Sequence, residues 1–246
     1  MLMDDFLSQL GITKTNANER IGGSILGGSL NTYGIKNIKN ISIGNRKAVT
    51  QSLLNYTKTY LNSPDFKMQY QAMKHKYKPA EVIAQTPAEF REEYISRLKK
   101  SVAEMELSAK KADAATKPIF EKILAEAQKN LKEAEDPENK MFKRYAANYD
   151  QLVKDQKRGY EYQLGEWEKN YPSNHLQYVK KRLNEFIEAT NDIDFDAEVV
   201  DKNGKKYFVN PAYERKSDRW KMAYRAGKEV VVPAREFVQK WIEEIN

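Results

Sequence analysis

The sequence predicts a mainly α-helical chain, α+β overall, that ends in a small β-hairpin with helices. Over residues 86–191, apolar side chains recur every three or four positions on a heavily charged background, which is the period of amphipathic helices. At Ile193 the apolar period changes from about 3.6 to 2, the period of a strand. With 40% hydrophobic residues among 246, the chain has enough apolar side chains for a folded core. We therefore expect a long helical hairpin or bundle followed by a compact C-terminal unit.

Residues 1–46 are predicted to form an N-terminal helical and glycine-rich segment. Residues 2–10 place their apolar side chains on one helical face, which ends at Gly11 and needs a partner. A second helix follows, with Asn16 as its candidate cap. Its four glycines each cost about 1 kcal/mol relative to alanine, so they indicate either a weak helix or a close-packing seam. Residues 31–45 are expected to form a loop.

Residues 47–191 are predicted to form a helical bundle that contains a long hairpin. Two helices come first, and the second starts at Ser63-Pro64, where serine caps and proline opens a helix. An extended linker over residues 78–85 follows. It leads to the strongest start signal in the chain, a capping box that begins at Thr86.

Prolines divide the charged stretch into rods. Pro118 either kinks its helix or restarts it after Thr116. The Asp136-Pro137 pair ends the next rod, and the long hairpin is expected to turn there. A third rod carries apolar residues from position 141 to position 167 and is about 50 Å long at the rise of an α-helix.

Residues 192–246 are predicted to form a small α+β unit. Apolar and acidic residues alternate over residues 193–199, which predicts a half-buried strand. Asn203-Gly204 then supplies the two positive-φ positions of a tight hairpin turn. A second strand is expected to follow this turn and to end before Pro211.

Single residues predict the remaining helix boundaries. The fourth rod follows a cap at Ser173 or Asn174. A short helix around Trp220 is expected to end at Gly227. Pro233 is expected to open the last helix.

Composition restricts the class of protein. The chain has no cysteine, which excludes disulfides, thiol nucleophiles and cysteine-bound zinc. No apolar run approaches the roughly 18 residues that span a bilayer, and residues 1–10 carry two aspartates instead of a basic leader. Neither a membrane span nor a signal peptide is therefore predicted. We expect a soluble chain, either cytoplasmic or a processed exported one.

The net charge of +7 is unevenly distributed along the chain. Residues 1–80 hold 11 basic and 4 acidic residues, whereas residues 81–200 hold 20 basic and 24 acidic ones. Residues 201–246 hold 11 basic and 7 acidic residues. Both ends are therefore basic, and the rods between them are slightly acidic.

Motifs for phosphate or metal binding are incomplete. The glycine-rich stretch over residues 21–29 lacks the lysine of a phosphate-binding loop and follows no strand. The alternating aspartates from Asp192 to Asp196 share the spacing that begins a calcium loop. Ala197 and Asn203, however, stand where that loop needs its glycine and its closing glutamate. We expect no cofactor and no metal.

Catalytic groups are also sparse. His75 and His175 are the only histidines, and neither has the spacing of a ligand set or a nucleophile motif. Glu166 and Glu168 beside Trp167 are the carboxylate pair that a sugar-cleaving enzyme would need, but residues two apart on a helix face different directions. A carboxylate-dependent hydrolase is therefore only an alternative.

The third rod carries more aromatic side chains than one neighbouring helix covers. Tyrosine and tryptophan bury large rings while their polar groups tolerate water, so such residues suit a binding surface. The candidates for contact with a protein partner or a second copy are Tyr145, Tyr149, Tyr160, Tyr162 and Trp167. They favour a non-catalytic interaction or scaffold protein.

A basic cluster in the C-terminal unit is the second candidate surface. Its cations alternate with aromatic residues, the combination with which proteins neutralise phosphates and stack on single-stranded bases. The candidate polyanion-binding residues are Lys205, Lys206, Arg215, Lys216, Arg219, Lys221 and Arg225. Aromatic residues at this spacing more often form a core that lysines keep solvated. Nucleic-acid binding is therefore an alternative to the interaction protein.

The C-terminal third resembles a known group of proteins. The residues that carry the resemblance are Asp218-Arg219-Trp220-Lys221-Met222-Ala223-Tyr224-Arg225-Ala226-Gly227-Lys228, followed by Ala234-Arg235-Glu236-Phe237 and Trp241. They are similar to the tail of uncharacterised exported helical proteins of bacteria. The resemblance implies a periplasmic setting and supplies no active site.

Overall fold

A computed structural model of the chain describes residues 7, 8, 10–28 and 42–245. The chain is 75% helical, and its regular elements are ten helices and one two-stranded antiparallel sheet within those residues. This confirms the predicted fold class, mainly α with a small β-hairpin. Most of the predicted helix over residues 2–10 and of the predicted loop over residues 31–45 lies outside the described residues.

The helices and strands have the following bounds. In chain order they are α1 (Lys14–Gly27), α2 (Ile43–Leu61), α3 (Pro64–Lys76), α4 (Pro87–Lys111), α5 (Lys117–Glu135), α6 (Lys140–Asn170), α7 (His175–Ala189), β1 (Val199–Lys202), β2 (Lys205–Phe208), α8 (Pro211–Glu214), α9 (Asp218–Ala226) and α10 (Lys228–Glu244).

The chain forms two compact units. Unit 1 combines Met1–Lys78 with Trp167–Asn246, and unit 2 is Pro79–Glu166. This division cuts across the three segments predicted from the sequence, 1–46, 47–191 and 192–246. The reason is that both ends of the chain contribute to one core, which leaves the middle of the chain as a separate body.

The core of unit 1 lies where α2, α3, α7 and α10 meet. Its buried residues are Tyr60, Leu61, Phe66, Val179, Leu183, Val238, Trp241 and Ile245. Helix α1 packs beside this core, and the Tyr178 hydroxyl of α7 donates a hydrogen bond of 2.9 Å to the Leu26 carbonyl of α1. Hydrophobic burial from four separate stretches of sequence therefore holds unit 1 together.

Helix α1 begins earlier than its sequence predicts. Thr13, not Asn16, is the N-cap, since its side chain accepts a hydrogen bond from the Asn16 N–H. Gly22 is buried, and a Cβ atom there would lie 2.8 Å from Gln69 Oε1 and 3.1 Å from the Tyr60 hydroxyl. Close packing is thus the role of Gly22, whereas a Cβ atom on Gly23 would meet nothing within 4 Å.

Unit 2 contains a helical hairpin made of α4 and α5. The Thr86 capping box that begins α4 is confirmed, with hydrogen bonds in both directions between Thr86 and Glu89. At the same end of the hairpin, Arg91 of α4 donates a hydrogen bond of 2.9 Å to the carbonyl of Glu135, the last residue of α5. The two helices therefore run antiparallel.

The packed hairpin turns at residues 112–116, so the prediction of a turn near Asp136-Pro137 is wrong for this pair of helices. Asp113 explains the position of the turn, because its carboxylate accepts hydrogen bonds from the N–H groups of Ala115 and Thr116. Pro118 restarts the helix rather than kinking it. Asp136-Pro137 instead connects α5 to α6.

The sheet begins later than the alternation of residues suggests. Strand β1 starts at Val199, and residues 193–198 contain a turn at 195–196, where the Asp194 carboxylate accepts a hydrogen bond from the Asp196 N–H. The predicted strand over residues 193–199 therefore overlaps β1 only at Val199, and β1 is exposed along its length rather than half-buried. The hairpin turn is confirmed, with φ of 57° at Asn203 and 77° at Gly204.

Helix α10 begins at Lys228, so Pro233 lies inside it and does not open it. Gly227, with φ of 91°, both ends α9 and precedes α10. Pro233 is the sixth residue of the helix, past the first four N–H groups, so its missing N–H removes the intrahelical hydrogen bond to the Glu229 carbonyl. The other predicted caps are confirmed, with Ser63 capping α3 and Asn174 capping α7.

Candidate functional site

A groove of about 510 Å³ lies in unit 2 between the start of α4 and the first half of α6. Its apolar lining comes from Phe90 on α4 and from Met141, Tyr145 and Leu152 on α6. Its polar lining comes from the side chains of three further α6 residues, Lys140, Arg144 and Asn148. The groove therefore combines an apolar floor with cations.

Aromatic packing fixes the floor of the groove. The rings of Phe90 and Tyr145 stack with their centroids 4.3 Å apart. Phe142 is only 7% exposed and packs its edge against Phe90 at 5.8 Å and against Tyr94 at 5.7 Å. These contacts hold the start of α6 against the start of α4.

The start of α6 is set by Asn139. The Asn139 side-chain oxygen accepts hydrogen bonds from the N–H groups of Met141, at 2.9 Å, and Phe142, at 3.4 Å. From there the helical period places Met141, Tyr145 and Leu152 along one side of α6. A local cap and a simple spacing thus produce the groove-lining face.

The charge of the groove is positive. Among the residues that the structure describes, neither Lys140 nor Arg144 forms an ion pair. Their neighbour Lys143, by contrast, pairs with Glu138. Two cations on successive turns of α6 are therefore available to an anionic group.

The five aromatic residues predicted to contact a partner differ in exposure and in hydrogen bonding. The Tyr145 hydroxyl donates a hydrogen bond of 2.8 Å to the Gln85 carbonyl, and the Tyr149 hydroxyl approaches the Ala84 carbonyl at 3.5 Å. The linker before α4 thus occupies both hydroxyl groups. Tyr160 is half-buried, whereas Tyr162 is 71% exposed.

Trp167, the fifth of these residues, belongs to unit 1. Its indole N–H donates a hydrogen bond of 3.0 Å to the Lys74 carbonyl at the end of α3. The ammonium groups of Lys74 and Lys78 lie 4.7 Å and 5.9 Å from the centre of the indole ring. Trp167 therefore anchors the end of α3.

Ion pairs engage three of the seven residues in the predicted polyanion-binding cluster. Lys216 pairs with Asp192, and Lys221 pairs with Glu214 at 2.9 Å. Each lysine lowers the pKa of its carboxylate partner.

Arg219 is the third of these three cations. It lies 3.8 Å from Glu185 and donates a hydrogen bond to the Gly28 carbonyl. The other four residues of the cluster are exposed: Lys205, Lys206, Arg215 and Arg225.

The aromatic residues of the same cluster pack on one another. The Trp220 ring is parallel to that of Tyr224, with an interplanar angle of 1°, and stacks on Tyr213 at a centroid distance of 5.3 Å. Phe208 packs its edge against Trp220 at 5.5 Å. Because Trp220 is only 2% exposed, its ring has no free face for a nucleobase.

The candidate catalytic and metal-ligating groups have local structural partners. Asp192 accepts a hydrogen bond of 2.9 Å from the Trp220 indole, and Asp194 accepts one from the Tyr213 hydroxyl. His175 is half-buried, its Nε2 lies 3.1 Å from the Leu61 carbonyl, and burial lowers its pKa. Within the described part of the chain, no group of three or more potential ligands could hold a metal ion.

No helix in the described residues is long and apolar enough to cross a membrane. No known protein family matches the chain, and no curated protein and no solved structure is significantly similar to it. The resemblance of the C-terminal third to exported bacterial proteins therefore stays a prediction.

Sequence reasoning placed Met141, Tyr145 and Leu152 on one apolar stripe but did not identify the groove. The signal that could have located it is the pair Lys140 and Arg144, four residues apart and next to that stripe. No local sequence pattern indicates that Phe90 lines the groove, because its position there depends on the packing of α4 against α6.

Proposed function

We propose that the chain is a non-catalytic interaction protein whose unit 2 groove binds an amphipathic helix with acidic residues along one edge. The observation that carries this proposal is an exposed groove with an apolar floor and two cations that have no ion-pair partner in the described structure. Helices that bind in grooves present apolar anchors at helical spacing. The acidic edge would meet Lys140 and Arg144.

The dimensions of the groove support a helical partner. From Met141 to Leu152 the lining spans three turns of α6, or about 16 Å. A partner helix of similar length could place an apolar residue on each turn. Met141 is 40% exposed, so it has apolar surface left to bury in such a contact.

The charges of the groove favour one class of partner over another. Cations at the edge of an interface accelerate association with acidic partners and disfavour basic ones. Lysine and arginine at positions 140 and 144 would therefore select an acidic partner, while the apolar floor would supply most of the affinity.

The two alternative functions have less structural support. A nucleic-acid site in the C-terminal cluster would need free aromatic faces, and Trp220 is 2% exposed. A carboxylate-dependent hydrolase would need convergent acids in a deep polar pocket. The unit 2 groove has no acidic lining residue, and a second pocket, in unit 1, is lined by Glu229 and Glu236 beside two lysines.

Selection of helical peptides tests this proposal. A displayed library of helical peptides about three to four turns long would be selected on the full chain and then titrated by fluorescence anisotropy. We expect the enriched peptides to carry apolar residues at helical spacing and acidic residues on one flank. The variant Met141→Glu should weaken their binding by about tenfold or more, because it places a carboxylate in the apolar floor.

The matched control is Leu107→Glu, which changes another exposed apolar residue of unit 2, 55% exposed and outside the groove. It should leave binding unchanged. Equal losses in both variants, or enriched peptides without acidic residues, would contradict the proposal. Sedimentation of the free chain adds a separate outcome: self-association that Met141→Glu abolishes would assign the groove to a second copy and not to an acidic partner.

A further inference from the structure

Unit 1 contains a stack of three tyrosine rings that runs from its core to its surface. Tyr178 is 5% exposed and lies nearly parallel to Tyr171, with ring centroids 6.2 Å apart and an angle of 10° between the ring planes. Tyr171 stacks in turn on Tyr77, at 5.6 Å and 2°. The outermost residue, Tyr77, is 54% exposed. The stack therefore ends in a ring that a further planar group could cover.

The inner part of the stack is fixed in place. The Arg182 guanidinium lies 5.1 Å from the centre of the Tyr178 ring, and the Tyr178 hydroxyl is hydrogen-bonded to the Leu26 carbonyl. Tyr70 packs against Tyr178 at 5.3 Å and donates a hydrogen bond to the Pro172 carbonyl. Tyr77 is thus presented on a rigid base, which lowers the entropic cost of stacking a ligand on it.

The sequence around the exposed end of the stack is rich in lysine. Four lysines and no acidic residue lie between Asp65 and Glu81. The Lys76 ammonium lies 5.7 Å from the centre of the Tyr77 ring, and Lys78 follows Tyr77 directly. Neither Lys76 nor Lys78 forms an ion pair within the described residues.

Helix stabilisation accounts for only part of this pattern. Lys74 and Lys76 lie in the last turn of α3, where cations favour the negative end of the helix dipole. Lys78 follows the C-cap of α3, and its ammonium lies 5.9 Å from the centre of the Trp167 ring. Tyr77 caps α3 through its backbone N–H, so its 54% exposed ring takes no part in the cap, and that ring with the Lys76 ammonium beside it points to a ligand.

We propose that Tyr77, Lys76 and Lys78 bind single-stranded nucleic acid. A base would stack on the exposed part of the Tyr77 ring and continue the parallel tyrosine stack, and the two lysines would neutralise neighbouring phosphates. An acidic peptide or an anionic membrane would use the lysines but has no planar group for the ring. Duplex DNA has its bases stacked internally, so it would engage only the lysines.

The experiment measures the binding of a fluorescein-labelled oligothymidylate of about 20 nucleotides to the full chain by anisotropy. We expect Tyr77→Leu to weaken binding at least about fivefold, since base stacking on an aromatic residue contributes about 1–3 kcal/mol. Tyr162→Leu, which removes a still more exposed tyrosine outside the stack, should leave affinity unchanged. Circular dichroism checks that both variants are folded.

A salt titration provides a second, independent readout. In the double variant Lys76→Gln/Lys78→Gln, the slope of log affinity against log salt should fall by about 1.4, the value for two lost phosphate contacts to a single strand. The matched variant Lys205→Gln/Lys206→Gln removes two exposed lysines of the β-hairpin and should keep the slope.

Three results would overturn the proposal: no binding of oligothymidylate at low salt, equal affinity for a duplex of the same length, or equal affinity for polyglutamate. Absence of binding would show that there is no nucleic-acid site, and equal affinity for a duplex or for polyglutamate would show that the lysines bind polyanions without help from the Tyr77 ring. None of these outcomes depends on the unit 2 groove, so this proposal and the proposed function can fail separately.

Discussion

Replacing Trp220 with alanine should lower the free energy of unfolding of unit 1 by about 4 kcal/mol. This variant decides whether the aromatic cluster of the C-terminal region is a core or a binding surface. The indole ring is 2% exposed, contacts Tyr213, Tyr224 and Phe208, and donates a hydrogen bond of 2.9 Å to Asp192. A stacking platform for nucleobases would instead tolerate the substitution.

The magnitude follows from the buried area. A buried tryptophan removes about 200 Å² from water, and at about 25 cal/mol per Å² this corresponds to about 5 kcal/mol as an upper bound. Alanine retains part of that burial, which brings the expected loss to about 4 kcal/mol, within the usual range of about 3–5 kcal/mol for this truncation. Asp192 keeps its ion pair with Lys216, so the lost indole hydrogen bond adds little.

Urea denaturation followed by far-UV circular dichroism measures the change. For a unit of this size the melting temperature should also fall, by about 2–4 °C for each kcal/mol. The control is Tyr207→Ala on β2, since that ring is 37% exposed and should cost well under half as much. A loss below about 1 kcal/mol for Trp220→Ala, or equal losses in the two variants, would refute the interpretation of the cluster as a core.

Two further predictions concern unit 1. Burial lowers the pKa of His175 below its ordinary value of 6.5, so the unfolded chain binds this proton more tightly than the folded chain does. The contribution of neutral His175 to the free energy of unfolding should therefore be fully present above pH 6.5 and should decline as the pH falls below that value. His175→Gln should reduce that decline between pH 7 and pH 5 in urea titrations, and an unchanged slope would contradict the assignment. Gly23→Ala should raise the free energy of unfolding by about 0.5–1 kcal/mol, and with it the melting temperature, because the added Cβ atom would have no other atom within 4 Å. Gly22→Ala should gain less stability or lose some, because the added Cβ atom would lie too close to the side chains of Gln69 and Tyr60. Equal gains in the two variants would disprove the close packing at Gly22.

Helix starts were predictable because their causes are local. Ser63, Thr86 and Asn174 each accept a hydrogen bond from an N–H group two or three residues later, and such a bond depends on only a few consecutive residues. The Asn203-Gly204 turn is equally local, since its positive φ values are set by the two residues themselves.

Pairing between helices was not predictable in the same way. Asp113 and Asp136-Pro137 both supply turn signals, and no local property distinguishes the turn within the packed hairpin from the turn that follows it. That choice depends on which apolar stripes pack together, and Val102, Ala109 and Ala134 are the buried residues of α4 and α5. Most of the strand predicted over residues 193–199 does not form. Aspartates two residues apart also favour turns, and their spacing is the same as the alternation of a strand.

The aromatic residues of α6 show that a sequence does not reveal which side-chain polar groups already have partners. The sequence indicates excess tyrosines, but backbone carbonyls of an extended segment can satisfy tyrosine hydroxyls without any regular pattern. Ala84 and Gln85 do so for Tyr149 and Tyr145. Asn148 donates its own hydrogen bond to the Arg144 carbonyl, so the cations of Lys140 and Arg144 are the polar groups left at this face. The proposed function relies on these two cations to favour an acidic partner.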